Sequence, residues 1–174
     1  MSCPEKEIRT IAILSFKREE LLYDAANYSY VEGDIMKAEV EHARHQVFDI
    51  VQDGNVDRVT RVLNLAHSEC VEMLFPYTND EIRSDGCMLD DKFAEFESYD
   101  IILSLPQYFS MTTVRLLKDI IHEYLVCRVL ADWMSITNPS SQKKWEEKLD
   151  YLKTKIKTSL MSRRGKIRRK MKPF

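Results

Sequence analysis

Two places in the chain set a carboxylate three residues before an imidazole: Glu39-Val40-Glu41-His42 and Asp119-Ile120-Ile121-His122. On a helix such residues share a face. Carboxylate-bridged di-iron bundles use two Glu-x-x-His units of this kind, with a further glutamate from each of two other helices. Here an aspartate replaces one glutamate, and Arg115, Asp119 and His122 share a charged face that suits solvent better than a dry metal core. Both motifs therefore read as surface polar residues, and no metal is expected. His42 and His45 lie about one turn apart beside Glu41 and Arg44, a poor ligand pair without further groups and better explained as a solvated face. A chain with four glycines has no G-x-x-x-x-G-K or G-x-G-x-x-G loop to cradle a phosphate. No serine or cysteine sits in a nucleophile elbow or another recognisable catalytic setting. These residues point away from catalysis and imply no cofactor.

Two other groups suit binding. Arg128 and Asp132 are four residues apart in an apolar helical stretch, aligned with Ile121 and Leu125, so they belong on or near a buried face. Such a pair is either an intrahelical ion pair or a partner-facing pair that fixes register in an assembly. The C-terminal segment 163–174 carries four arginines and three lysines with no acidic residue. A block of like charge repels itself until a polyanion or an acidic protein surface orders it. Residues 143–174 hold 13 Lys+Arg against 3 Asp+Glu, and the preceding 142 hold 13 against 25. The chain is thus an acidic body with a basic end. Arg163, Arg164, Arg168 and Arg169 are its candidate contacts, with Phe174 as a possible apolar anchor.

The elements that must carry these residues centre on Thr112 to Ile156. From Thr112 to Ile136, Leu116, Ile120, Cys127, Leu130 and Met134 fall near one helical line, with Leu117, Ile121 and Leu125 beside it. Val126, Val129 and Trp133 widen the stripe until the helix is apolar nearly all round, as in the middle of a bundle. Ser110 or Thr112 is the expected N-cap. Asn138-Pro139 ends this helix, since proline disfavours helical geometry at the residue before it and fits the first turn of the next helix. A second helix then lines up Trp145, Leu149, Leu152, Ile156 and Leu160, and the short connection predicts an antiparallel hairpin.

Upstream, helices are expected over about Phe16 to Val31, Ile35 to Gln52, and Asn55 to Pro76. Glu32-Gly33-Asp34 and Asp53-Gly54-Asn55 are the breaks, with Asn55 as a cap. Residues 1–14 fit a helix or a short buried strand around Ile11 to Leu14. Residues 77–92 read as an exposed acidic excursion. Phe93, Phe96, Tyr99 and Leu103 suggest a further helix ending at Pro106, with a short strand at Ile101 to Leu103 as its rival.

Five prolines and four glycines are too few for a sandwich or barrel. The expectation is an all-α single domain, a bundle of five or six helices over residues 1–162 with a long central C-terminal hairpin, followed by the basic tail 163–174. No apolar run reaches the roughly 18 residues of a membrane span, and Ile11 to Leu14 is too short for a signal-peptide core. Cys3, Cys70, Cys87 and Cys127 include no C-x-x-C pair and read as reduced thiols.

The run from Ile121-His122-Glu123-Tyr124 through Ala131-Asp132-Trp133-Met134, the Asn138-Pro139 turn, the Trp145 helix and the ending Arg163-Arg164, Arg168-Arg169, Pro173-Phe174 resemble small helical proteins encoded in bacterial prophages. More loosely, the layout is similar to tailed-phage head-to-tail connector (adaptor) proteins. The resemblance covers about the last 60 residues best, and the excursion over 77–92 departs from it. It implies a non-enzymatic virion structural or assembly protein, in the bacterial cytoplasm or the virion. Such a protein forms a ring-like homo-oligomer and meets other phage structural proteins. A nucleic-acid-binding accessory protein acting through the tail is the alternative.

Overall fold

A computed structural model describes residues 9–36, 41–79 and 93–161, with residues 41–43 as backbone alone. The elements run β1 (Arg9–Lys17), α1 (Arg18–Ile35), α2 (Glu41–Phe48) continued by a 3-10 turn (Asp49–Val51), α3 (Asp53–Met73), β2 (Ser98–Pro106), α4 (Met111–Thr137) and α5 (Pro139–Met161). The fold is mostly helical, with five helices among the described residues, but it is not all-α. β1 and β2 form a two-stranded antiparallel sheet in which Arg9 faces Pro106 and Lys17 faces Ser98.

The sheet settles the segments left ambiguous by periodicity, except that residues 1–8 of the first lie outside the described residues. In β2, Tyr99, Ile101, Leu103 and Leu105 are buried while Asp100 and Ile102 face outward, a period of two that belongs to a half-buried strand. The helix expected over Phe93 to Leu103 is therefore replaced by a strand. In β1, Leu14 and Phe16 point into the core beside the partly buried Ala12, while Ile11 and Ile13 point out. Tyr77 and Thr78, assigned to the exposed excursion, are buried: Thr78 Oγ1 donates to the Val71 carbonyl at 2.8 Å, and the Ser104 N–H donates to the Tyr77 carbonyl at 2.8 Å. The remainder of that excursion, from residue 80, lies outside the described residues.

Helix ends shift from their expected places for identifiable reasons. α1 does not stop at Glu32-Gly33-Asp34 but runs through to Ile35. Glu32 is buried against α5, where Lys144 Nζ reaches its carboxylate at 2.6 Å and Ser141 Oγ donates to it at 2.9 Å. Gly33 is used for close approach: a Cβ there would lie 2.9 Å from Cδ1 of Phe48 and closer still to the adjacent ring carbon. α3 starts at Asp53 with Gln52 in the cap position, so Asn55 lies inside the first turn, its Nδ2 donating to the Asp49 carbonyl at 2.8 Å. Ser110 occupies the cap position of α4, but no side chain caps that end.

The C-terminal hairpin is as expected. α4 carries fourteen buried residues and α5 buries Trp145, Leu149, Leu152, Ile156 and Leu160 against it. Burying a large apolar side chain is worth about 1.5–3 kcal/mol as an upper figure, so the α5 stripe is a main contribution to closing the hairpin. Leu116 is the exception to the predicted stripe and faces solvent. The turn itself is tied by Asn138, which donates to Ser141 Oγ at 3.1 Å and accepts from Ser140 Oγ at 2.5 Å.

Candidate interaction site

Tyr124, Arg128 and Asp132 recur every four residues on α4, which places them along the seam with α3. Tyr124 donates its hydroxyl to Glu69 Oε2 at 2.5 Å, and Arg128 Nε stands 3.6 Å from the same oxygen. Eleven residues before Glu69 on α3, Arg58 Nε donates to Asp132 Oδ2 at 2.9 Å. Arg128 and Asp132 are thus both half-buried as expected, but each takes its partner from α3 and not from the other. Burial, then the bond to Glu69, raises the Tyr124 pKa far above its ordinary value. The phenol therefore acts as a fixed donor at neutral pH.

Glu69, Arg128 and Asp132 line one wall of an open cleft of about 460 Å³, which Glu146, Asp150 and Lys153 of α5 complete. A second cleft of about 520 Å³ continues from it along α3 and α5, sharing Glu69 and Lys153 and adding the apolar Leu65 and Met73. Charges of both signs set along a trough with an apolar end match a protein surface better than a polyanion, because its carboxylates repel phosphate.

A second polar seam joins α1, α4 and α5. Lys148 Nζ bonds Glu123 Oε1, which also accepts from Tyr28 OH at 3.2 Å and lies 3.8 Å from Cys127 Sγ. The ammonium also sits over the Tyr28 ring at 5.0 Å and the Trp145 ring at 5.2 Å. Burial works to lower the Lys148 pKa, but the hydrogen bond to Glu123 leads a set of contacts that raise it overall. Beside this cluster, His122 Nε2 is 2.8 Å from Asp24 Oδ2 of α1. His122 is therefore half-buried in a helix seam, and not on the open face assigned from Asp119-x-x-His122.

Glu123 was missed by the sequence reading because its partners come from two other helices. Only the Trp145 and Lys148 spacing of three hinted at the cation over the ring. Cys70 and Cys127 are buried free thiols, and burial pushes Cys127 up to about 12. His45 is exposed at 6.1 Å from the Phe48 ring. Glu39, the side chain of His42, Cys3, Cys87 and the tail residues Arg163, Arg164, Arg168, Arg169 and Phe174 lie outside the described residues. Among the described residues no group of three or more His, Cys, Asp or Glu side chains is placed to hold a metal, and no helix is long and apolar enough to cross a membrane. No protein-family model matches the chain, and neither the curated proteins nor the solved structures contain a match.

Proposed function

We propose that this chain is a non-enzymatic assembly subunit, of the head-to-tail connector kind found in tailed phages and prophages, that works as a homo-oligomer in contact with other structural proteins. The observation that carries the oligomer is the outer side of α1, where Tyr23, Tyr30, Val31 and Ile35 are all exposed large side chains. Apolar surface gathered on one helix marks a contact face. The charge split supplies the second part: a basic end and an acidic body on the same chain allow each subunit to lay its arm on the next, a head-to-tail contact that closes into a ring when its rotation permits. Charge complementarity of this kind gives register more than raw affinity.

Sedimentation at low and high salt, with and without residues 163–174, tests the reading. An oligomer weakened by salt and by truncation supports it, and an oligomer indifferent to both removes the arm from the account. The alternative, nucleic-acid binding through the tail, is favoured by the seven unopposed positive charges in the last twelve residues. It requires a steep fall of log affinity for DNA with log salt that the truncation abolishes.

A further inference from the structure

The two edges of the β1–β2 ribbon are in different states. The Arg18 N–H donates to the Glu97 carbonyl at 3.0 Å, one step beyond the Lys17 and Ser98 pair. In an antiparallel ladder bonded and unbonded pairs alternate, so Phe16, Leu14, Ala12 and Thr10 turn their main-chain groups toward β2, and Lys17, Ser15, Ile13, Ile11 and Arg9 turn theirs away. The outer edge of β2 shows the same phase: the Ser104 N–H goes to the Tyr77 carbonyl at 2.8 Å, and the Asp100 carbonyl meets His67 Nε2 at 2.9 Å. That edge is engaged by α3 and the turn after it. Among the described residues, no main-chain bond reaches the outer edge of β1.

Open edges in monomeric proteins are blunted by charge, proline or a bulge. From Thr10 to Phe16, β1 has none of these: Thr-Ile-Ala-Ile-Leu-Ser-Phe is uncharged and pairs with β2 in unbroken register. The residues whose main chain faces this edge include Ile11 and Ile13, whose side chains are 70% and 62% exposed. The charged residues of β1, Arg9 and Lys17, stand at its two ends.

We infer that the β1 edge pairs antiparallel with β1 of a second copy, joining two ribbons into a four-stranded sheet in the order β2, β1, β1, β2. Identical antiparallel strands suit a two-fold axis, which makes the contact self-complementary. Centring the axis on Ala12 sets Ile11 of each copy against Ile13 of the other and Arg9 against the uncharged Ser15. Centring it on Ile13 would instead oppose Arg9 and Lys17, so like charge disfavours that register against the first. Parallel pairing would set like charges side by side. This surface is separate from the exposed α1 residues, and the inference does not rest on the assembly reading.

Sedimentation over a range of protein concentration, with circular dichroism as the fold control, tests the inference on the full chain. Ile13→Pro removes an N–H that serves no bond among the described residues and is expected to turn dimer into monomer with the helical signal unchanged. Should that variant lose its fold, the exposed isoleucine pair carries the test. Ile11→Lys alone is expected to weaken the dimer at least several-fold, and Ile11→Lys with Ile13→Glu to restore it. Deleting residues 163–174 should leave this dimer intact, whatever it does to larger assemblies. A chain that is monomeric at every concentration, or a dimer that neither the proline nor Ile11→Lys weakens, overturns the inference.

Discussion

Tyr124 of α4 and Glu69 of α3 share a 2.5 Å hydrogen bond whose acceptor oxygen also faces Arg128 at 3.6 Å. A bond to a charged acceptor contributes about 1.5–3 kcal/mol. Tyr124→Phe should therefore cost roughly that much in urea unfolding, with little change in the slope against denaturant. In a double-mutant cycle with Glu69→Gln, the two losses should fall short of adding by about 0.5 kcal/mol or more, the mark of residues in one network. Additive losses would mean that the bond contributes nothing in solution.

Leu116 and Leu117 are adjacent on α4 yet 49% and 0% exposed. Leu117→Ala should cost about 2–5 kcal/mol through lost burial and the cavity left behind, whereas Leu116→Ala should stay within about 0.5 kcal/mol. Comparable losses at both positions would mean that α4 is rotated relative to its neighbours.

Gly33→Ala offers a test of close packing inside a helix. Alanine favours helix by about 1 kcal/mol over glycine, but its methyl group must displace the Phe48 ring, which is stacked on Tyr30 at 5.1 Å. The expected result is a net loss of about 1–2 kcal/mol. Adding Phe48→Leu should turn the alanine into a gain relative to Phe48→Leu alone, as read by thermal unfolding.

Stability should fall at alkaline pH for a cause that can be located. Burial raises the Cys127 thiol from an ordinary 9.0 to about 12 and raises Cys70 as well. A raised pKa means that folding favours the protonated thiol, so the stabilisation is complete below pH 9.0 and is lost as pH climbs from there toward 12. Lys148, also raised, adds to the loss in the same direction. At neutral pH both buried thiols should resist iodoacetamide in the native chain and react once it is denatured, as peptide mass spectrometry would show.

The α4–α5 hairpin was legible in the sequence because its signals are local: a stripe repeating every three to four residues, an Asn138-Pro139 stop, and a second stripe from Trp145 to Leu160. The sheet was not, because its evidence is split between two distant segments. Ile11 to Leu14 fits either period when read alone, and only Tyr99, Ile101, Leu103 and Leu105 opposite it decide the matter. Gly33 misled for a different reason: glycine was taken as a helix stop, whereas here it admits the Phe48 ring. At the candidate site, Arg128 and Asp132 were recognisable as half-buried, but Glu69 and Arg58 became their partners only once α3 was laid against α4.

The distance in sequence between the two strands also bears on how the chain is made. Roughly 80 residues separate Lys17 from Ser98, and synthesis proceeds at about 5–20 residues per second. For several seconds a nascent chain therefore carries β1 with both edges bare, whereas the finished chain covers one of them. On a polysome, where many copies of the same uncharged Thr10 to Phe16 segment emerge close together, the hazard of wrong partners is greatest before Pro106 has left the ribosome.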